Sequence, residues 1–173
     1  YSGSLTYPGT VLIEGTEFSE GRGTTRSLEL FGHPKLNPYQ LGNLLTQELS
    51  KAKLSGFVLR PSFFRPTFQK HINQVCGGFQ VHCTDPEIFQ PWKMMQHCLR
   101  ILYHNLGLQK FWNTDPYEYE TQGLGIDFIN GSQSIRAWVE NNGTAEELVE
   151  FEQKGKEEFA ERRKEIQLYT IKK

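Results

Sequence analysis

Three carboxylates and an arginine share one short stretch, Thr10-Val-Leu-Ile-Glu-Gly-Thr-Glu-Phe-Ser-Glu-Gly-Arg-Gly-Thr-Thr25, with Glu14, Glu17 and Glu20 set among the hydroxyls of Thr16, Thr24 and Thr25. Two carboxyl groups suit glycoside hydrolysis, in which one protonates the departing oxygen and the other acts as base or nucleophile across the sugar. Extended backbone would hold Glu14 and Glu20 roughly 20 Å apart at ~3.3 Å per residue, so only a sharply turned loop brings them together. Gly15, Gly21 and Gly23 allow such a turn. Arg22 offers a planar fork for a carboxylate. The same residues also fit a tight turn fastened by a salt-bridged arginine, a common fate for loop glutamates. A phosphate loop fits less well, because the Gly-Lys-Ser/Thr ending is absent and Glu20 stands where an anion would bind.

Elsewhere, His82 lies between Val81 and Cys83 and close to Asp85. A lone strand histidine serves structural hydrogen bonding more often than ligand binding, and proton transfer less often still. His33, before Pro34, reads as a turn residue. Cys76, Cys83 and Cys98 are odd in number, which rules out a fully paired disulfide framework and favours free, buried thiols. A zinc site from His82, Cys83, His97 and Cys98 lacks paired Cys-x-x-Cys spacing.

Such residues need a frame. Val11, Leu12 and Ile13 read as a short buried strand ending in Glu14 at the rim of a sheet, and the segments 28–31 and 56–59 as further short strands. Asn37 as N-cap, Pro38 at the first helical position and the stripe Leu41, Leu44, Leu45, Leu49, Ala52 predict a helix from Pro38 to about Lys53. Pro61 and Pro66 bracket an aromatic segment that must lie at an edge, a strand end or a loop, since proline cannot donate to a ladder. In the run 79–84, Phe79, Val81 and Cys83 alternate with Gln80, His82 and Thr84, giving one core face and one polar face.

Asp85-Pro86 is expected to open a helix through Ile88, Trp92, Met95, Leu99 and Leu102, ended by Gly107 near Asn105. The stretch 111–131 reads as irregular, and 134–140 as a short helix. Thr144 and Glu147 form a capping box for a last helix docked by Leu148, Phe151, Phe159, Ile166 and Tyr169. The order β, β, α, β, β, α, loop, α specifies an α+β domain, a small and mainly antiparallel sheet with packed helices.

A chain of 173 residues with 37% apolar and 13% aromatic residues can fill one core. Nineteen basic residues against twenty acidic ones leave a net charge of -1, and no lysine-rich run marks a nucleic-acid partner. No apolar stretch approaches the ~20 residues of a membrane span.

The block Tyr7-Pro-Gly-Thr-Val-Leu-Ile-Glu-Gly-Thr-Glu-Phe-Ser-Glu-Gly-Arg-Gly-Thr-Thr25, followed by Phe31-Gly-His-Pro34, resembles the opening of the C-terminal half of the exo-β-N-acetylmuramidases of the NamZ type. The segments Phe64-Arg-Pro-Thr-Phe-Gln-Lys70, Cys76-Gly-Gly-Phe-Gln-Val-His-Cys-Thr-Asp85, Tyr117-Glu-Tyr and Ile126-Asp127 extend the likeness over nearly the whole chain. The resemblance implies that residues 1–173 are the smaller C-terminal domain of a two-domain, secreted or periplasmic bacterial enzyme. Its partner would be an N-terminal Rossmann-like domain carrying the principal catalytic glutamates, and its substrate muramic-acid-containing peptidoglycan fragments, with no metal or organic cofactor.

This chain would then form one wall of the sugar cleft and be weakly active or inactive alone. Glu14 is its best candidate for chemistry. Glu14, Thr16, Glu20, Arg22, Thr24, Arg65 and His82 are the candidates for substrate binding: Arg22 and Arg65 would grip the lactyl carboxylate, and Phe64 or Phe79 would pack on the sugar face. Glu118 and Asp127, on matching positions, read as structural first. A non-catalytic peptidoglycan-binding module and a purely structural loop are the competing readings.

Overall fold

The computed structural model describes residues 1–169, and its centre is the strand β3, Cys76–Cys83, paired antiparallel on one side with β1, Leu30–His33, and on the other with β2, Phe57–Phe64. Gly32 faces Gly78 across the β1 and β3 pair, and a Cβ on Gly78 would run into the Phe31 carbonyl. Two glycines therefore let the strands close on each other where a side chain could not fit. Pro61 stands on β2, an edge strand, as its missing N–H requires.

Helices cover this sheet. α2, Pro38–Lys51, starts as its sequence predicts, with the Asn37 side chain accepting from the Tyr39 N–H at 3.0 Å and Pro38 in the first turn, and it buries Leu45 and Leu49. α3, Pro91–Asn105, buries Met94, Met95, Cys98, Leu99 and Leu102. It begins later than Asp85-Pro86 suggested. The Asp85 carboxylate accepts from the Glu87 N–H in a local turn, and Pro91 bars the helical region to Gln90, whose ψ is 79°. Ile88 is consequently half-exposed rather than core. Gly107, at φ +61°, follows the end of α3.

The opening of the chain departs furthest from expectation. Val11–Ile13 is not a strand: α1, Ser2–Thr10, runs directly into a 3-10 helix, Val11–Gly15. The Thr6 and Thr10 hydroxyls both donate to the Leu28 carbonyl, and Leu12 and Ile13 are fully buried, so tertiary packing overrides β-propensity. A Cβ on Gly9 would strike the Pro91 carbonyl, which shows how closely α1 lies on α3.

The polar face predicted for β3 is covered at Gln80, which is buried and donates to Glu29 while accepting from Arg60, whereas His82 is half-buried and Thr84 exposed. The stretch expected to be irregular holds a short helix, α4, Gly125–Asn130, packed on the 3-10 helix, and α5, Gln133–Glu140, follows. The capping box at Thr144 and Glu147 starts α6, Ala145–Gln153, with its reciprocal bonds at 3.2 and 2.7 Å. The predicted single last helix is broken: Gly155 takes φ +77°, and α7, Lys156–Ile166, buries none of its residues. Phe159, Ile166 and Tyr169 are exposed, whereas Leu148 is fully buried and Phe151 partly so.

The three cysteines are free thiols, Cys76 and Cys98 buried and Cys83 less so. Burial pushes the Cys76 thiol up to about 11. Among the described residues no helix is long and apolar enough to cross a membrane, and no three His, Cys, Asp or Glu side chains are grouped to hold a metal ion.

Candidate functional site

The 3-10 helix ends at Gly15, and from there the chain turns back on itself so that Glu14 and Glu20 meet. Gly15 is packed against α4, where an added Cβ would lie 2.6 Å from the Ile126 nitrogen. Gly21, at φ +69°, makes the second turn, closed by the Thr24 and Ser27 hydroxyls donating to its carbonyl at 2.6 and 3.0 Å. Arg22 then donates through Nη2 to Glu14 Oε1 at 2.6 Å and through Nε to Glu20 Oε1 at 2.7 Å.

A second segment locks onto this loop. Between β2 and β3, the Thr67 N–H and hydroxyl donate to the Arg22 and Gly23 carbonyls at 3.2 and 3.0 Å. Lys70 is thereby brought beneath the 3-10 helix, where its ammonium donates to the Ile13 and Thr16 carbonyls at 2.9 and 3.0 Å and lies 2.9 Å from Glu20 Oε2. The Ile13 carbonyl also accepts from the Thr16 N–H and hydroxyl, so Lys70 adds a positive charge to acceptors gathered at the end of this helix, where a cation is favoured. Gln69, His71 and Asn73 all have positive φ, an uncommon conformation for such residues that is held here by surrounding contacts. Among those contacts, the His71 ring bonds the Glu17 carbonyl at 2.7 Å and meets the His33 ring edge-on.

Together Glu14, Glu20, Arg22, Gln69, Lys70, Asn113, Asp115, Tyr117 and Glu118 line an open cleft of about 480 Å³. Its two central carboxyls differ. Burial raises the Glu14 carboxyl above the usual range, with Glu20 and Glu118 adding to the rise and Arg22 opposing it. Burial acts on Glu20 in the same sense, but the Lys70 charge and the hydrogen bond from Arg22 outweigh it and hold that carboxyl below the usual range. Burial also lowers the Lys70 ammonium, partly offset by Glu20, and raises the Tyr117 phenol, helped by Glu14 and Glu118. The pattern is one carboxyl that holds its proton more readily beside one fixed as an anion.

Of the sequence-predicted residues, Glu14, Glu20 and Arg22 line the cleft, and the other four do not. Thr16 is fully buried, donating to the Ile13 carbonyl and accepting from the Phe18 N–H. Thr24 is occupied in the turn. Arg65 is exposed beyond the end of β2. His82 pairs with Val58 near the far end of β3, roughly 20 Å of strand away from Cys76. Lys70, rather than Arg65, supplies the second cation.

Phe79 is wholly core. Glu17 pairs with Lys110 at 3.0 Å outside the cleft lining, Asp127 is buried and bound by Arg136, and Glu118 lines the cleft. His33 shapes its turn by accepting the Lys35 N–H at 3.0 Å. Sequence reasoning missed Gln69, Lys70, Asn113, Asp115 and Tyr117 as cleft residues. Lys70 and Tyr117 stood inside quoted motif blocks, whereas Asn113 and Asp115 gave no signal beyond an acidic, aromatic loop.

The sequence pattern described as "Exo-beta-N-acetylmuramidase NamZ, C-terminal" matches residues 5–169. The chain belongs to this NamZ C-terminal family. It is 32% identical over 167 residues to the peptidoglycan beta-N-acetylmuramidase NamZ of Bacillus subtilis (strain 168), covering 96% of this chain and 37% of that protein. The NamZ C-terminal fold also matches two crystal structures of DUF1343 family proteins from Bacteroides fragilis NCTC 9343. Their TM-scores are 0.72 and 0.63 at 18% and 23% identity, and 96% and 98% of this chain align with 42% and 41% of those chains. The NamZ C-terminal chain thus spans about two-fifths of its relatives' length, as an α+β unit with a three-stranded antiparallel sheet.

Proposed function

We propose that this chain is the C-terminal domain of an exo-β-N-acetylmuramidase that releases terminal N-acetylmuramic acid from peptidoglycan fragments, and that it forms one wall of the substrate cleft. Its partner is an N-terminal Rossmann-like domain of the same protein, and its place of work is the cell envelope or beyond, where peptidoglycan lies. One observation carries this reading: the family-bearing blocks 7–25, 64–70 and 117–119 contribute Glu14, Glu20, Arg22, Lys70 and Tyr117 to a single cleft. Glu14 is the group suited to give or hold a proton there. Glu20, tied to Arg22 and near Lys70, orients the wall and is poorly placed to act as a free base.

An open half-cleft neither excludes water nor encloses a sugar, so the isolated domain is expected to be inactive. The same commitment of Glu20 favours the second reading, a non-catalytic module that holds the muramyl group. Hydrolysis of a chromogenic N-acetylmuramic acid glycoside separates the two. Activity restored only when the chain is joined to its N-terminal domain supports the cleft wall, binding without turnover in the joined protein supports the module, and activity of this chain alone overturns both.

A further inference from the structure

The positive charge of the cleft is consumed internally. Arg22 directs Nε and Nη2 at Glu20 and Glu14, while Lys70 is ringed by the Ile13 and Thr16 carbonyls and Glu20. Four carboxyls line the cleft against these two cations. The groups left open are acceptor-rich: Glu14 bonds Arg22 through one oxygen only, Asp115 and Glu118 are exposed, and Tyr117 and Gln69 add neutral oxygens, while the Asn113 oxygen already accepts from the Asp115 N–H. An incoming carboxylate would meet Arg22 already matched by two anions and would sit among a surplus of like charge. Hydroxyl and N–H donors would meet charged acceptors, the stronger class of hydrogen bond.

We propose that this wall reads hydrogen-bond donors, the hydroxyls and acetamido N–H of the sugar, and turns the lactyl carboxylate of a muramyl ligand away from itself. The inference rests on the carbohydrate reading of the cleft. It assigns Arg22 the role of a positioning residue that holds Glu14 and Glu20, in place of a carboxylate grip.

The test is binding of N-acetylmuramic acid and of its methyl ester to this chain at low ionic strength, followed by backbone amide shifts in 15N-labelled protein. The expected result is an ester at least threefold tighter than the acid, with shifts at Glu14, Asp115, Tyr117 and Glu118. Raising salt should narrow the gap, as should Glu118→Gln, an exposed change that leaves the packing intact. An acid tighter than the ester, with that preference lost in Arg22→Gln, overturns the proposal, as does absence of binding by either form. Preference for the ester here together with no hydrolysis by the joined protein would remove the muramidase reading and leave the donor-reading wall standing.

Discussion

Glu14 and Glu20 accept from the same guanidinium, at 2.6 and 2.7 Å, yet their surroundings push their acidities in opposite directions. The difference comes from Lys70, which lies 2.9 Å from Glu20 but acts on Glu14 only as a more distant charge, leaving Arg22 as the ion-pair partner of that carboxyl. Replacing each by glutamine therefore has different consequences. Glu20→Gln removes the carboxylate paired with the largely buried Lys70, leaves Arg22 with Glu14, and should cost about 3–5 kcal/mol of stability, as loss of one partner in a buried pair does. Glu14→Gln keeps a hydrogen-bond acceptor at a partly exposed position and should change stability by less than about 1 kcal/mol while lowering turnover in the joined protein. Urea denaturation of the two variants checks this, and equal losses would mean that Glu14 is as structural as Glu20.

Acid sensitivity follows from two buried histidines. Burial, followed in effect by the neighbouring charge of His71, lowers His33 to about 4, and burial with Arg100 lowers His97 to about 4. Their folded values lie below the ordinary 6.5, so between pH 6.5 and about 4 the unfolded chain binds more protons. Stability is full above that window and falls as the pH descends through it, by at most on the order of 3 kcal/mol per histidine. Glu20 and Glu29, held below the usual carboxylate range, continue the loss below 4.5. Unfolding midpoints measured from pH 7.5 to 4 should decline, and His97→Phe should flatten the slope. A flat profile in the parent protein would contradict neutral burial of both rings.

Gly15 transmits the packing of α4 to the cleft. A methyl group there would stand 2.6 Å from the Ile126 nitrogen and 2.7 Å from its Cα, so either α4 or the 3-10 helix must move. Gly15→Ala should destabilise by about 1–3 kcal/mol, the usual cost of overpacking. Because Glu14 is the preceding residue, the variant should also weaken ligand binding more than Glu118→Gln does. Calorimetric unfolding together with the sugar titration checks both parts, and an unshifted melting temperature would show that this contact yields freely.

Much of the frame was legible because local chemistry and tertiary packing agree: Asn37-Pro38, the Thr144 and Glu147 box, Pro61 on an edge and Gly107 past a helix end all act within a few residues of themselves. Val11-Leu12-Ile13 misled because an apolar β-branched run satisfies a buried 3-10 turn as well as a strand, and only the Leu28 carbonyl, distant in sequence, decides between them. The cleft was half legible for a similar reason. Glu14, Glu20 and Arg22 announce themselves in one glycine-rich stretch, whereas Lys70 reaches them only through the Thr67 bonds to the Arg22 and Gly23 carbonyls. His82 has a suitable side chain at a position that the register of β2 and β3 directs elsewhere, and Arg65 lies exposed just beyond the end of β2.

The last helix offers the sharpest contrast between pattern and packing. Leu148, Phe151, Phe159 and Ile166 share a helical stripe in sequence, but Gly155 in its left-handed conformation ends that stripe after α6. Leu148 is fully buried, while Phe159 and Ile166 are 66% and 78% exposed. Leu148→Ala should therefore cost about 2–5 kcal/mol, through lost burial and the cavity left behind. The double change Phe159→Ser with Ile166→Ser should stay within about 0.5 kcal/mol of the parent, as exposed substitutions do. Urea denaturation of this chain measures both. A double variant as unstable as Leu148→Ala would restore the continuous, docked helix that the sequence pattern suggests and would place α7 against the body of the domain.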